Sequence, residues 1–128
     1  MTPKPRPTAG ELAILRVLWE RGPSTVRDVH AELEQERPTG YTTVLKLLQI
    51  MTEKGLVKRD ESARAHVYAA AVEEAQTQRR LVRDLLDRAF GGSAAKLVMH
   101  ALSGRKASRD EIASIRRLLD QLEQEGGE

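Results

Sequence analysis

Apolar positions recur at helical spacing through most of this chain, and the interruptions mark where one element gives way to the next. Leu12, Leu15, Leu18 and Trp19 share one side of a first helix. Thr8 with Glu11 three residues later has the form of a capping box that opens it, and Gly22-Pro23 closes it. Ser24 or Thr25 then caps a second helix that runs to about Glu36 and turns Val26, Val29 and Leu33 inward. Arg37-Pro38-Thr39-Gly40 reads as a turn, because the residue before a proline is pushed out of the helical region. A third helix spans about Tyr41 to Lys54 and ends at Gly55, which accepts the left-handed conformation of a helix cap.

The period then changes. Leu56-Val57-Lys58-Arg59-Asp60 and His66-Val67-Tyr68-Ala69-Ala70 are short strands on either side of a polar tip, Glu61 to Ala65. Three helices followed by a hairpin is the order of a winged helix, a helix-turn-helix with a β wing. Helical spacing resumes over 72–90, breaks at Gly91-Gly92, and returns in a short helix that Ser93 caps, to about Leu102. Ser108 with Glu111 opens a last helix near 109–124, and Gly126-Gly127 frays its end. The fold class is therefore mainly α with a small β-hairpin wing. Residues 1–7, with prolines at 3, 5 and 7, form a disordered arm; 8–71 are the winged helix; 72–128 are a helical region.

At about 100° per residue, Val44, Leu45, Leu47, Leu48 and Met51 cluster on one side of the third helix, which is its core side. Thr42, Thr43, Lys46 and Gln49 fall opposite. Small hydroxyls at the start of a helix let it approach a duplex closely and serve phosphates or base edges; lysine can reach guanine, and glutamine can read adenine. An amphipathic helix also exposes such residues simply to water, so the order of elements is what turns this face toward DNA. Thr25 and Tyr41 flank it, and Arg59 and Arg64, with Lys58, suit phosphates or a minor groove, although Asp60 and Glu61 stand beside them.

The helical region has apolar faces but little bulk. Leu85, Leu86 and Phe90 in the first of its helices, Leu97 and Val98 in the second, and Ile112, Ile115, Leu119 and Leu122 in the third would make a dimerisation surface. Segments below about 60 residues are marginal alone, and a second copy supplies the missing core. Packing of the same faces on the chain's own winged helix is the alternative.

Composition narrows the chemistry. The 128 residues contain no cysteine, which excludes disulfides and zinc–thiolate sites. No apolar run approaches the roughly 20 residues of a membrane span, and residues 1–7 lack the apolar stretch of a signal peptide, so the expected location is cytoplasmic, with no insertion into a membrane. Residues 1–71 hold 11 Lys/Arg against 9 Asp/Glu, whereas 72–128 hold 10 of each, so the net charge of +2 belongs to the winged helix. Aromatic residues make up 3%, too few for the stacking platforms that hold single strands. His30, His66 and His100 lie far apart on separate elements and read as surface or packing residues. No catalytic triad, phosphate loop or metal-ligand pair is present, so neither an enzyme nor a cofactor is expected.

Four segments in register resemble the penicillinase-repressor family: Thr8-Ala9-Gly10-Glu11-Leu12 with Ile14-Leu15 and Val17-Leu18-Trp19; Gly40-Tyr41-Thr42-Thr43-Val44; Met51 with Glu53-Lys54-Gly55-Leu56-Val57; and Arg64-Ala65-His66-Val67-Tyr68. The resemblance covers about residues 8–122. It implies a homodimer that binds a palindromic double-stranded operator and represses β-lactam or related resistance genes. It also implies induction through a membrane sensor-protease, with the repressor cleaved in its C-terminal helices. The family's cleavage segment aligns with Leu97 to Leu102, where its usual Asn-Phe bond falls at His100-Ala101 and both residues differ. The cysteine-rich tail of the copper-responsive branch is absent. Two other readings stay open: a regulator that senses a small ligand in its helical half, and an adaptor whose winged helix docks a protein.

Overall fold

A computed structural model describes residues 6–126. The arm expected over residues 1–7 lies mostly outside the described residues, as does Gly127 of the expected fraying end. The chain up to Arg80 forms one compact unit, and the chain from Leu81 onward a second.

In the first unit the order is α1 (Ala9–Arg21), β1 (Ser24–Thr25), α2 (Val26–Glu36), α3 (Tyr41–Lys54), β2 (Val57–Asp60) and β3 (Val67–Ala70), followed by the start of α4 (Glu74–Ala89). Local chemistry sets each helix boundary. Thr8 caps α1 with Glu11 as its reciprocal partner, and Thr25 caps α2 with Asp28 in the same role. Of the two residues expected to cap α2, it is therefore Thr25 that does so. Ser24 is buried and donates its hydroxyl hydrogen to the Gly22 carbonyl at 2.8 Å. At the far end of α3, Gly55 sits at φ +81° in the left-handed region, and Leu56 N–H donates back to the Met51 carbonyl at 2.9 Å.

The sheet is antiparallel in the order β1-β3-β2. The hairpin matches the expected strands to within a residue, but β1 is an addition to the sequence reading. It consists of Ser24 opposite Tyr68 and Thr25 opposite Val67, so it joins the wing to the start of α2. The core beneath is Ile14, Leu15 and Leu18 of α1, Val29 and Leu33 of α2, and Val44, Leu48 and Met51 of α3, sealed by Leu56, Val57 and Tyr68. Gly10 lets α1 press on α3, since a Cβ there would stand 3.3 Å from Leu47 Cδ1. Trp19 Nε1 donates to the Val72 carbonyl at 3.0 Å and pins the chain as it leaves the wing.

The second unit holds the rest of α4, α5 (Ala94–Ser103) and α6 (Arg109–Gly126). Ser93 Oγ accepts from Lys96 N–H, and Ser108 Oγ accepts from Glu111 N–H, as their spacing predicts. Phe90 and His100 meet at 5.8 Å between ring centres across the turn from α4 to α5. No side chain of α4, α5 or α6 is buried. None of these helices has a sequence long and apolar enough to cross a membrane.

Candidate nucleic-acid interface

The third helix is divided cleanly. Val44, Leu48 and Met51 are fully enclosed, whereas Thr42, Thr43, Lys46 and Gln49 are all exposed on the opposite side. One rigid element thus presents two hydroxyls, an ammonium and an amide in a single row, with the core fixing their direction. Tyr41 begins this helix, 48% exposed, with its ring edge-on to His30 at 5.6 Å between centres. His30 Nε2 donates to the Thr39 carbonyl at 2.8 Å, and Glu34 Oε1 accepts from Thr39 N–H at 2.9 Å. The turn that aims α3 is therefore held by two side chains of α2.

Thr25 is half-buried, and its hydroxyl oxygen accepts from Asp28 N–H at 3.2 Å. The hydrogen bonds from Thr25 hold the Asp28 carboxyl below its usual range, with Arg21 and Arg27 nearby adding to the effect. On the wing, Arg59 is tied to Glu61 at 3.5 Å, while Arg64 is exposed at the tip. Asp60 is turned back on its own tip: hydrogen bonds from Ser62 lower its pKa and keep it ionised.

The fold also brings together residues that sequence reasoning kept apart. Thr25, Arg27 and His30 of β1 and α2, Tyr41 of α3, and Ala65 and His66 of the wing line an open cleft of about 750 Å³. His30 and His66, 36 positions apart and expected to be unrelated, face the same space. The only prior signal was that Arg27 follows a cap and His66 begins a strand, and neither implies the other.

In the second unit Leu85, Val98, Ile112, Leu119 and Leu122 are exposed, and Leu86, Phe90, Leu97 and Ile115 are half-buried. His100 and Ala101 are exposed within α5. Arginine and hydroxyl side chains around a helix-turn-helix with a wing define the class: a winged-helix regulator. The chain matches the family described as penicillinase repressor over residues 7–121. It is 36% identical over 115 residues to the transcriptional regulator BlaI of Mycobacterium tuberculosis, a match that spans 88% of this chain and 82% of that one. It is 20% identical to the methicillin resistance regulatory protein MecI of Mammaliicoccus sciuri, over 88% and 92% of the two chains. The winged helix also superposes on a solution structure of Bacillus licheniformis BlaI in complex with the blaP half-operator. That match has a TM-score of 0.50 and 23% identity, covering 59% of this chain and 92% of that one. The chain belongs to the penicillinase repressor family, whose members are transcriptional repressors and not enzymes.

Proposed function

We propose that two copies of this chain pair through their helical halves and repress transcription by occupying a palindromic operator, with α3 of each reading one half-site in the major groove. The observation that carries the reading is the divided α3, whose exposed row of Thr42, Thr43, Lys46 and Gln49 is aimed by an enclosed apolar back. In this reading Thr43 and Lys46 meet base edges, Thr42 meets a phosphate, and Arg59 and Arg64 reach the adjacent minor groove. A DNA partner favours a cytoplasmic location.

The unburied faces of α4, α5 and α6 favour a partner of identical sequence, because Leu85, Val98, Ile112, Leu119 and Leu122 otherwise remain in water. Residues 72–128 then act as the dimerisation region and 8–71 as the reader. The relatives named for BlaI and for methicillin resistance favour β-lactam resistance genes as the regulated set and a membrane sensor-protease as the inducing partner. His100-Ala101 is the proposed scissile bond; it lies inside α5, so that helix must open before a protease can engage it. Selection of bound duplexes from a random pool tests the whole reading. A recovered motif with two inverted halves is the expected result, and an asymmetric motif or no enrichment would overturn it.

A further inference from the structure

We infer that the cleft between the start of α2, Tyr41 and the wing tip seats a backbone phosphate of duplex DNA, gripped by Arg27 and by the imidazolium form of His66, so that operator affinity rises as pH falls. The inference deepens the DNA-reading role proposed above and rests on it. A helix in a major groove and a hairpin in the neighbouring minor groove must straddle one sugar–phosphate strand. The cleft runs from the start of α2 to the wing, with Tyr41, the first residue of α3, at its side, and the pairing of Thr25 with Val67 brings His66, one residue earlier, beside the start of α2. Arg27 is exposed there and offers a forked cation that suits phosphate oxygens. The hydroxyls of Thr25 and Tyr41 add neutral donors to the same space.

The charges around the two imidazoles assign them different work. His30 is committed to the Thr39 carbonyl at 2.8 Å and faces Glu34 Oε1 at 3.4 Å, so it positions the turn before α3. His66 Nε2 stands 3.8 Å from Glu61 Oε1, a loose ion pair when the ring is protonated and too long for a hydrogen bond, and Glu61 is itself shared with Arg59 at 3.5 Å. Asp28 is occupied by Thr25 and by Arg21 at 3.4 Å. His66 is therefore the imidazole left to answer an arriving phosphate. Histidine is the side chain that ordinarily changes charge between about pH 5 and 8, so binding would take up a proton and add one counterion-displacing contact.

The test measures affinity of the full chain for a duplex that it has itself enriched from a random pool, as a function of salt, at about pH 6 and about pH 8. Wild type is expected to bind roughly two- to fivefold more tightly at the lower pH, with a salt slope steeper by about 0.9. His66→Gln is expected to lose most of that pH gain and to show equal slopes at both values. Arg27→Ala should flatten the slope by about one at either pH, and Arg27→Lys should restore it. A His66→Gln protein that binds the duplex and keeps the full pH gain and slope change overturns the inference alone, as does an Arg27→Ala protein with an unaltered slope. Failure of wild type to enrich any duplex would instead remove the reading on which the inference rests.

Discussion

Glu11 Oε1 accepts a hydrogen bond from Lys54 Nζ at 2.6 Å, which ties the first turn of α1 to the last turn of α3 across 43 residues of chain. The same oxygen accepts from Thr8 N–H at 2.9 Å, so one carboxylate both caps α1 and holds the end of α3. Glu11 is 2% exposed, and no other buried charged side chain occurs among the described residues. Lys54 lies in the last turn of α3, where the helix dipole favours a cation. The pair gives α3 a fixed attachment at the end remote from Tyr41, while His30 and Glu34 fix the other end through Thr39.

Lys54→Met should strand the Glu11 carboxylate. Breaking a fully enclosed ion pair costs about 3–5 kcal/mol, and the partial exposure of Lys54 brings the expectation down to about 2 kcal/mol. Adding Glu11→Gln to Lys54→Met should recover part of the loss, because the orphaned charge is then gone. Urea midpoints of the two single variants and the double variant check this. Purely additive losses would mean that the two side chains are not coupled.

The same pair sets an acid limit. Burial by itself would raise the pKa of Glu11, but the hydrogen bond from Lys54, those from Thr8 and the charge of Lys54 outweigh it, so the carboxyl lies below its ordinary 4.5. A group depressed in the folded state stabilises fully above its unfolded value and loses that contribution as pH falls through the folded one. Asp28 acts in the same direction from its ordinary 3.8. Stability should therefore decline as pH drops below about 4.5, and Glu11→Gln should be weaker at neutral pH yet decline less steeply. Parallel pH profiles for the two proteins would remove Glu11 as the cause.

The Thr8–Glu11 capping box, a cap at Ser24 or Thr25 and Gly55 made the helices of the winged unit legible, because each acts through neighbours three or four residues away; which of Ser24 and Thr25 caps α2 was not legible. The exposed row on α3 was legible for the same reason: it follows from a fixed rotation per residue. β1 was not, since two residues have no periodicity and Ser24-Thr25 is a strand only because Tyr68 and Val67 lie opposite. Glu11 was legible as a cap and not as a partner of Lys54, and the cleft of Arg27, Tyr41 and His66 was not legible at all. Those relationships join elements distant in sequence: the packing of α1 on α3 sets the first, and the pairing of β3 with β1 sets the second.

Leu119→Asp puts a carboxylate on an exposed apolar position of α6, where a second copy is proposed to dock. Sedimentation should show a monomer, and the winged unit, whose core is separate, should keep its thermal transition. Loss of the linked second half-site should weaken operator binding by about a hundredfold or more, the usual advantage of bivalent over single attachment. A dimer that survives this substitution and Leu122→Asp would place the interface elsewhere.

Thr43→Ala and Lys46→Ala address the proposed reading face directly. Both side chains are exposed and make none of the side-chain hydrogen bonds seen among the described residues, so their removal should leave the unfolding free energy from urea titration within about 0.5 kcal/mol of wild type. Against DNA the effects should differ. If Lys46 meets a guanine edge, Lys46→Ala costs about 1–3 kcal/mol on the selected operator and less on a duplex changed at that base pair. If it meets only phosphate, the loss is the same on every sequence and the salt slope falls by about one. Titrating both variants against the selected operator and against single-base-pair changes separates these outcomes. Equal binding by Thr43→Ala, Lys46→Ala and wild type on all duplexes would show that this row of α3 does not read DNA.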